Sequence, residues 1–271
     1  MDLIPVSKSA AEKRAATLQK YLEFAENTGR FYIHPSSQPG EKSLPRWGVT
    51  KVKSKTKRKV LITGTGRCGT DYISRLFVEN GYDVPHERVG EYGSSSHWFI
   101  TDSDWYPVLT FTPGLKAHVG QRKDDFIFEK TIHLIREPLV TIKSITNIFR
   151  SDDYEFLEAN NIVPPGINLK SKKRFYRGML IYYYVNKFIR DTYPESLLVH
   201  IEKIETEINS ISEFLNIPKL NITSLKATNT SKRILGFRLS KDEVTFATLK
   251  AIDYSLAEKI WHLSKSLGYS L

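Results

Sequence analysis

The chain has 271 residues, 40% of them hydrophobic, and a formal net charge of +10. This length allows one large domain or two small ones, with ample apolar content for a core. No run approaches the roughly 18 consecutive apolar residues of a membrane span, and the N-terminus lacks the apolar core of a secretion signal. The single cysteine, Cys68, excludes an internal disulfide framework and a cysteine-based zinc site. We therefore expect a cytoplasmic protein with an anionic partner, which charge alone does not identify.

Residues 1–57 are predicted to form a region of their own, ahead of a domain over residues 58–271. A capping box begins an amphipathic helix over residues 9–29, and the Pro- and Gly-containing residues 30–50 predict a linker. Six cations fall within the nine residues 51–59. Because no aromatic residue interleaves with them to stack on bases, a solvated segment is favoured over a nucleic-acid patch.

A strand, a glycine loop and a helix are predicted to follow the basic segment. Residues 59–63 form a short apolar run, residues 64–70 contain three glycines, and Ile73, Leu76 and Phe77 recur at helical spacing. Backbone N–H groups at the start of such a helix have no partner within it and point at a bound anion. The sequence therefore predicts an anion site at this loop.

The remaining elements alternate between strands and helices. Strands are predicted at residues 82–84, 126–128, 132–135 and 196–201, and helices at residues 138–149, 175–193, 210–215 and 240–268. Residues 90–114 are rich in Gly, Ser and Asp, which favours a substrate-facing loop over core. The alternation predicts an α/β fold with three layers, a mostly parallel sheet flanked by helices.

The glycine loop supports more than one interpretation. Gly64, Gly66 and Gly69 match the dinucleotide fingerprint, with Glu87 as a candidate ribose ligand. The same residues, followed by Thr70, are similar to a Walker A loop without its lysine, so ATP hydrolysis is poorly supported. The loop carries an internal cation instead, Arg67.

A second motif lies downstream. Arg136, Glu137 and Pro138 follow a predicted strand, and Ser144 comes eight residues after the arginine. Together, this motif and the glycine loop with its internal cation resemble the sulfotransferases that use 3′-phosphoadenosine 5′-phosphosulfate. The resemblance implies a fold like that of the P-loop nucleoside triphosphate hydrolases. It also implies that Arg136 and Ser144 hold the 3′-phosphate, which charge-assisted hydrogen bonds would stabilise.

The resemblance assigns further residues to the nucleotide. The loop and the Thr70 hydroxyl would hold the 5′-phosphosulfate, Arg67 would stabilise charge on the departing phosphate, and Tyr72 would contact the adenine or simply pack in the core. Arg233, with Lys232, would close over the 3′-phosphate or belong to a solvated basic loop. The implied nucleotide ligands are Gly64, Gly66, Arg67, Cys68, Gly69, Thr70, Tyr72, Arg136, Ser144 and Arg233.

Sulfuryl transfer requires a base that takes the proton of an acceptor hydroxyl, and it requires no metal. Glu87, after the predicted second strand, is the favoured base, with His86 second and His97 third. An ion pair of Glu87 with Arg88 or Arg67 is the structural alternative. Asp71 has no explanation in this scheme, because a carboxylate beside an anion is repulsive.

The favoured hypothesis is a sulfotransferase acting on a hydroxyl acceptor such as a carbohydrate or small alcohol. One alternative is a basic nucleotide-fold module that binds nucleic acid or another anionic polymer without catalysis. Another is a nicotinamide-dependent oxidoreductase of the Rossmann type. The acceptor itself would be selected by residues 86–114 and 152–172, whose sequences carry no transferable code.

Overall fold

A computed structural model describes residues 55–97, 100–101, 126–148, 156–158, 160–222 and 244–270. All of them after Lys55 belong to one compact unit that comprises residues 56–106 and 122–271. The predicted N-terminal helix and linker, Arg233 with Lys232, and the start of the last predicted helix lie outside the described residues.

Within the described residues, four parallel strands form a sheet in the order β2-β1-β3-β4. They are β1 (Thr56–Thr63), β2 (Gly93–Ser95), β3 (Phe126–Ile135) and β4 (Leu197–His200). Because parallel strands run in one direction, the segments that follow all four meet at one edge of the sheet. The glycine loop follows β1 at this edge, and Arg136 follows β3.

Six α-helices have both ends in the described part of the chain, and residues 156–158 are helical as well. They are α1 (Thr70–Glu79), α2 (Pro138–Ile148), α3 (Arg174–Thr192), α4 (Ile204–Leu215), α5 (Phe246–Ile252) and α6 (Tyr254–Ser266). Short 3₁₀ helices span Leu169–Ser171 and Ile201–Lys203.

Helices cover both faces of the sheet, so the molecule has three layers. Val60 and Ile62 of β1 pack with α1 and α4 in one buried cluster. Leu61, which alternates to the other face, packs with α2, α3, α5 and α6 in a second cluster. The predicted α/β class, with a parallel sheet flanked by helices, is therefore confirmed.

The second strand lies later in the chain than the sequence predicts. Residues 82–84 are not a strand, whereas Gly93–Ser95 pairs with β1 from Val60 to Ile62. A Cβ on Gly93 would lie 2.1 Å from the carbonyl oxygen of Val60, so only glycine allows this approach. The prediction of a substrate-facing loop from residue 90 onward is thus wrong for these three buried residues.

Two other predictions need correction. Residues 126–128 and 132–135 belong to one continuous strand, β3, since the polar residues between them continue its pairing with β1. Strand β1 begins at Thr56, inside the basic segment, so Arg58 and Lys59 are strand residues. The Arg58 side chain donates to the carbonyl oxygen of Gly90 at 2.6 Å and lies 5.4 Å from the Phe126 ring centre.

Several predicted boundaries agree with the structure. Helix α1 ends at Glu79 with Asn80 as its C-cap, and Gly81 follows with a φ of 85°. Helix α3 and strand β4 lie where the apolar pattern places them. Helix α4 begins earlier than predicted, at Ile204, and the C-terminal helical region is divided into two helices at Asp253, whose side chain accepts from the backbone N–H of Leu256.

Candidate functional site

The glycine loop turns sharply between β1 and α1. The N–H of Cys68 donates to the carbonyl oxygen of Thr65 at 3.2 Å, which closes a four-residue turn. Arg67 occupies the third position of this turn with a φ of 78°, in the left-handed region that non-glycine residues rarely adopt. The backbone therefore holds Arg67 in one orientation at the edge of the sheet.

Two glycines allow the loop to pass close to its neighbours. A Cβ on Gly64 would lie 2.1 Å from the carbonyl oxygen of Leu134 in β3. Gly69 has a φ of 105°, and a Cβ there would lie 2.7 Å from Ile201 Cγ1, just after β4. The loop is therefore seated over the ends of β3 and β4, and these positions require glycine for steric reasons.

Three side chains predicted to contact the nucleotide meet at this edge. Nε of Arg67 donates to Oγ of Ser144 in α2 at 3.1 Å. Nη1 of Arg136, after β3, donates to the carbonyl oxygen of Arg67 at 3.3 Å. Arg67 and Arg136 are 69 positions apart in the chain, and Arg67 and Ser144 are 77 positions apart. Direct hydrogen bonds nevertheless join both pairs.

The two arginines form a positive site. No Asp or Glu among the described residues makes an ion pair with Arg67 or Arg136. The pKa of Arg67 is lowered, first by burial and then by repulsion from Arg136. Two cations held near one another at this cost are stabilised when anionic groups bind beside them.

The two strand-to-helix junctions at this edge differ in capping. Helix α2 is capped by Glu137, whose carboxylate accepts from the backbone N–H groups of Leu139 at 3.1 Å and Val140 at 2.6 Å. The N-cap of α1 is Gly69, and no side chain caps that helix. Since an uncapped N-terminus favours an anion, the start of α1 is the better anion site of the two.

A polar cluster lies beside the start of α1. We call Thr70, His86, Glu87 and His97 the histidine cluster. Oγ1 of Thr70 lies 3.1 Å from Nε2 of His86, which lies 3.4 Å from Oε1 of Glu87. Nδ1 of His97 lies 2.9 Å from the same Glu87 oxygen. Glu87 is therefore in contact with both histidines, and His86 is in contact with Thr70 at the end of the glycine loop.

Burial distinguishes the members of the histidine cluster. The Glu87 side chain is 8% exposed and that of His97 18%, whereas that of His86 is 30% exposed. The pKa of His86 is lowered by burial, which outweighs the opposing attraction of Glu87. His86 is therefore a neutral imidazole at neutral pH and the member most open to an acceptor.

Strand β2 supports the histidine cluster, and the sequence patterns did not identify this role. Oγ of Ser95 donates to the carbonyl oxygen of Thr70 at 2.7 Å, and the carbonyl oxygen of Ser95 accepts from the N–H of Glu87 at 2.9 Å. Glu87 itself has a φ of 61°. Ser95 thus fixes the distance between Thr70 and Glu87, but a serine in a Gly-Ser-rich stretch gives no periodic signal of burial.

The remaining predicted nucleotide ligands differ in where they lie relative to the loop. Cys68 is fully buried in the cluster beneath α1, and burial raises the pKa of its thiol to about 12, so its side chain does not face a ligand. Tyr72 packs against the same cluster. Arg233 lies outside the described residues. Asp71 forms an ion pair with Arg75, one helical turn later, at 3.4 Å, which gives this carboxylate a structural role.

A hydrogen-bonded bracket fixes the backbone beside Arg136. Oε1 of Glu202, after β4, accepts from the N–H of Glu137 at 2.5 Å, and Oε2 accepts from the hydroxyl of Tyr269 at 3.1 Å. Burial and then proximity to Glu202 raise the pKa of Tyr269, so its hydroxyl keeps its proton. We call Glu202, Glu137 and Tyr269 the carboxylate bracket.

No family model, curated protein or solved structure matches the chain. Within the described ranges, no three His, Cys, Asp or Glu side chains are grouped so that they could hold a metal ion. In the same part of the chain, no helix combines the length and apolarity needed to cross a membrane. The functional argument therefore rests on the geometry of the site.

Proposed function

We propose that this protein is a sulfotransferase with a P-loop type of fold. It transfers a sulfuryl group from 3′-phosphoadenosine 5′-phosphosulfate to a hydroxyl acceptor, a carbohydrate or small alcohol. The observation that carries the proposal is the convergence of Arg67, Ser144 and Arg136 at the uncapped start of α1. A donor with anionic groups at both its 5′ and 3′ positions matches two cations on adjacent segments.

The roles follow from position. The loop from Gly64 to Thr70 holds the 5′-phosphosulfate, and Arg67 stabilises the charge that grows on the departing phosphate. Arg136 and Ser144 hold the 3′-phosphate. The histidine cluster supplies the base, because it adjoins Thr70 and is partly open to solvent.

Two other functions have less support. In a nicotinamide enzyme Glu87 would reach a ribose, yet its carboxylate is buried against two histidines. A nucleic-acid-binding segment should have cations that are free to contact phosphates. In the basic segment, however, Arg58 donates to the carbonyl oxygen of Gly90, and Lys59 forms an ion pair with Glu129 at 3.2 Å. Arg58 and Lys59, two of the described cations of that segment, thus have structural partners.

The proposal is tested by incubating the protein with donor carrying a labelled sulfuryl group and a panel of carbohydrate and alcohol acceptors. We expect label to appear on at least one hydroxyl acceptor, with release of 3′-phosphoadenosine 5′-phosphate. Retention of the label on the donor, together with no detectable nucleotide binding, would contradict the proposal.

Glu87→Gln separates binding from chemistry. The substitution keeps the size of the side chain and removes its charge, so nucleotide affinity should stay unchanged while kcat falls by roughly a hundredfold, as for the loss of acid-base assistance. Glu91→Gln, at an exposed position nearby, is the matched control. Full turnover in Glu87→Gln would show that Glu87 neither acts as the base nor positions it.

A further inference from the structure

The hydrogen atoms of the histidine cluster can be assigned from its contacts. Oε1 of Glu87 lies between Nδ1 of His97, at 2.9 Å, and Nε2 of His86, at 3.4 Å. An ionised carboxylate only accepts hydrogen bonds. Nδ1 of His97, which forms a hydrogen bond with this oxygen, therefore carries a hydrogen, whereas Nε2 of His86 lies only at ion-pair distance from it.

The hydrogen position on His86 is decided by its contact with Thr70. Nε2 of His86 lies 3.1 Å from Oγ1 of Thr70, so an Nε2–H group donates to Thr70, whereas a bare Nε2 accepts from it. A threonine hydroxyl has one hydrogen and can also accept. With His86 donating to it, Thr70 is left with its own hydrogen available for a ligand in the glycine loop.

The second nitrogen of His86 is the one open to an acceptor. None of the described residues forms a hydrogen bond with Nδ1 of His86, and this atom is absent from the buried unpaired side-chain atoms, so it reaches solvent. In the neutral ring that carries its hydrogen on Nε2, Nδ1 has the free lone pair. This is the atom that can take a proton.

We infer that Thr70 couples donor binding to the base: an anion in the glycine loop takes the Thr70 hydrogen, which fixes the His86 hydrogen on Nε2 and leaves Nδ1 as the proton acceptor. The alternative tautomer would need Thr70 to donate to Nε2, and it cannot do so while it donates to an anion. Glu87 is then a positioning residue. This inference rests on the proposed function.

The chemical step balances with these groups alone. The acceptor oxygen forms a bond to sulfur as its proton moves to Nδ1 of His86, and the bond from sulfur to the 5′-phosphate oxygen breaks. The electron pair of that bond stays on the phosphate, beside Arg67. His86 becomes an imidazolium with hydrogen on both nitrogens and later loses the Nδ1 hydrogen to water.

The charged and titratable groups around His86 agree with a neutral ring before the reaction. Glu87 and Asp71 favour its protonated form, whereas burial, His97 and Arg67 oppose it. Burial is the largest contribution, so the pKa of His86 lies below its ordinary 6.5. At neutral pH the question is therefore which nitrogen carries the single hydrogen.

Long-range ¹H–¹⁵N correlation spectra of the full chain with ¹⁵N-labelled histidine answer this question. Spectra are recorded with and without 3′-phosphoadenosine 5′-phosphate, and His86→Gln assigns the signals. We expect His86 to hold hydrogen only on Nε2 when the nucleotide saturates the protein, whereas exposed His262 serves as an unchanged reference. Hydrogen on Nδ1 in the nucleotide complex would overturn the inference.

Calorimetry on the same samples separates the two claims. If the nucleotide binds and Nδ1 of His86 carries the hydrogen, the coupling is wrong and the proposed function stands. If the nucleotide does not bind, the proposed function fails and the inference fails with it. In Thr70→Val, saturating nucleotide should no longer change the His86 signals. Thr206→Val, at an exposed position in α4, is the control and should show the same nucleotide-dependent change as the wild type.

Discussion

Arg67 has an unusual backbone conformation for a charged residue. Its φ of 78° costs about 1 kcal/mol relative to a glycine at the same position. Residues held in such conformations cluster at functional sites, where the surrounding structure compensates for the strain. The bonds to Ser144 and from Arg136 supply that compensation here.

His133 illustrates a buried residue that controls stability. Nε2 of His133 donates to Oδ1 of Asn186 at 3.0 Å, because the amide nitrogen of Asn186 is used by the carbonyl oxygen of Tyr182. Burial lowers the pKa of His133 from 6.5 to about 4. The folded protein therefore resists protonation of a ring that the unfolded chain protonates readily.

This shift predicts acid sensitivity. As pH falls below 6.5 the unfolded state binds the proton first, so the free energy of unfolding falls and the loss levels off near pH 4. At 1.36 kcal/mol per pKa unit, the loss is about 3 kcal/mol. Urea unfolding of the wild type and His133→Gln over this range measures it. Equal pH dependence in both proteins would contradict this role.

At the scale of elements, the glycine loop is fixed by its fit against β3. A Cβ at position 64 would meet a backbone oxygen of Leu134 at 2.1 Å, and neither strand can move without breaking the sheet. Gly81, after α1, has a φ of 85° but open space around a Cβ. A side chain at position 64 would therefore cause a steric clash, whereas a side chain at position 81 would cause only backbone strain.

Alanine substitutions test this distinction. We expect Gly64→Ala to lower the free energy of unfolding by about 3 kcal/mol through overpacking. Gly81→Ala should lower it by about 1 kcal/mol, the cost of a left-handed backbone. Chemical denaturation of both variants measures the difference. If Gly64→Ala costs no more than Gly81→Ala, the loop is not seated against β3 as described.

The sequence predicted those elements that have strong patterns of their own. The apolar run of β1 and the helical spacing of Ile73, Leu76 and Phe77 place β1 and α1 without reference to the rest of the chain. Strand β2 could not be found this way. Its Gly-Ser-Ser sequence has no apolar pattern, and only its close approach to β1 makes it a strand.

The residues of the candidate site likewise fall into two groups, those that the sequence predicted and those that it did not. Arg67, Arg136 and Ser144 were predicted as nucleotide ligands from the resemblance of two motifs to those of sulfotransferases, and the structure brings these three residues together. Ser95 and Glu202 were not assigned roles. Both act through contacts with residues distant in the chain, which depend on packing rather than on local sequence.

At the scale of the whole molecule, the C-terminal residues are linked to the site. Nε2 of His200 bonds to the carbonyl oxygen of Leu267 at 2.9 Å, and its ring contacts that of Tyr269. The carboxylate bracket continues this link from Tyr269 through Glu202 to the backbone before α2. The last described turn of the chain therefore positions Arg136 indirectly.

Tyr269→Phe removes one bond of the bracket and keeps the aromatic ring. Because hydrogen bonds to charged groups contribute about 1.5–3 kcal/mol, we expect a loss of about 2 kcal/mol in the free energy of unfolding, with weaker nucleotide binding. Denaturation and calorimetry measure the two effects. Tyr254→Phe, at a site 64% exposed, is the control. Unchanged stability in Tyr269→Phe would show that the bracket contributes nothing.

The central claim is that Arg67 and Arg136 form a nucleotide anion site. Titration calorimetry with 3′-phosphoadenosine 5′-phosphate tests it on the wild type, Arg67→Gly, Arg136→Ala and the distant control Lys59→Ala. We predict binding by the wild type and the control, and affinity at least about tenfold weaker in both arginine variants. Arg67→Gly should be about as stable as the wild type, because relief of the strained φ offsets the lost hydrogen bond to Ser144. No binding by the wild type, or undiminished binding by the arginine variants, would contradict the account.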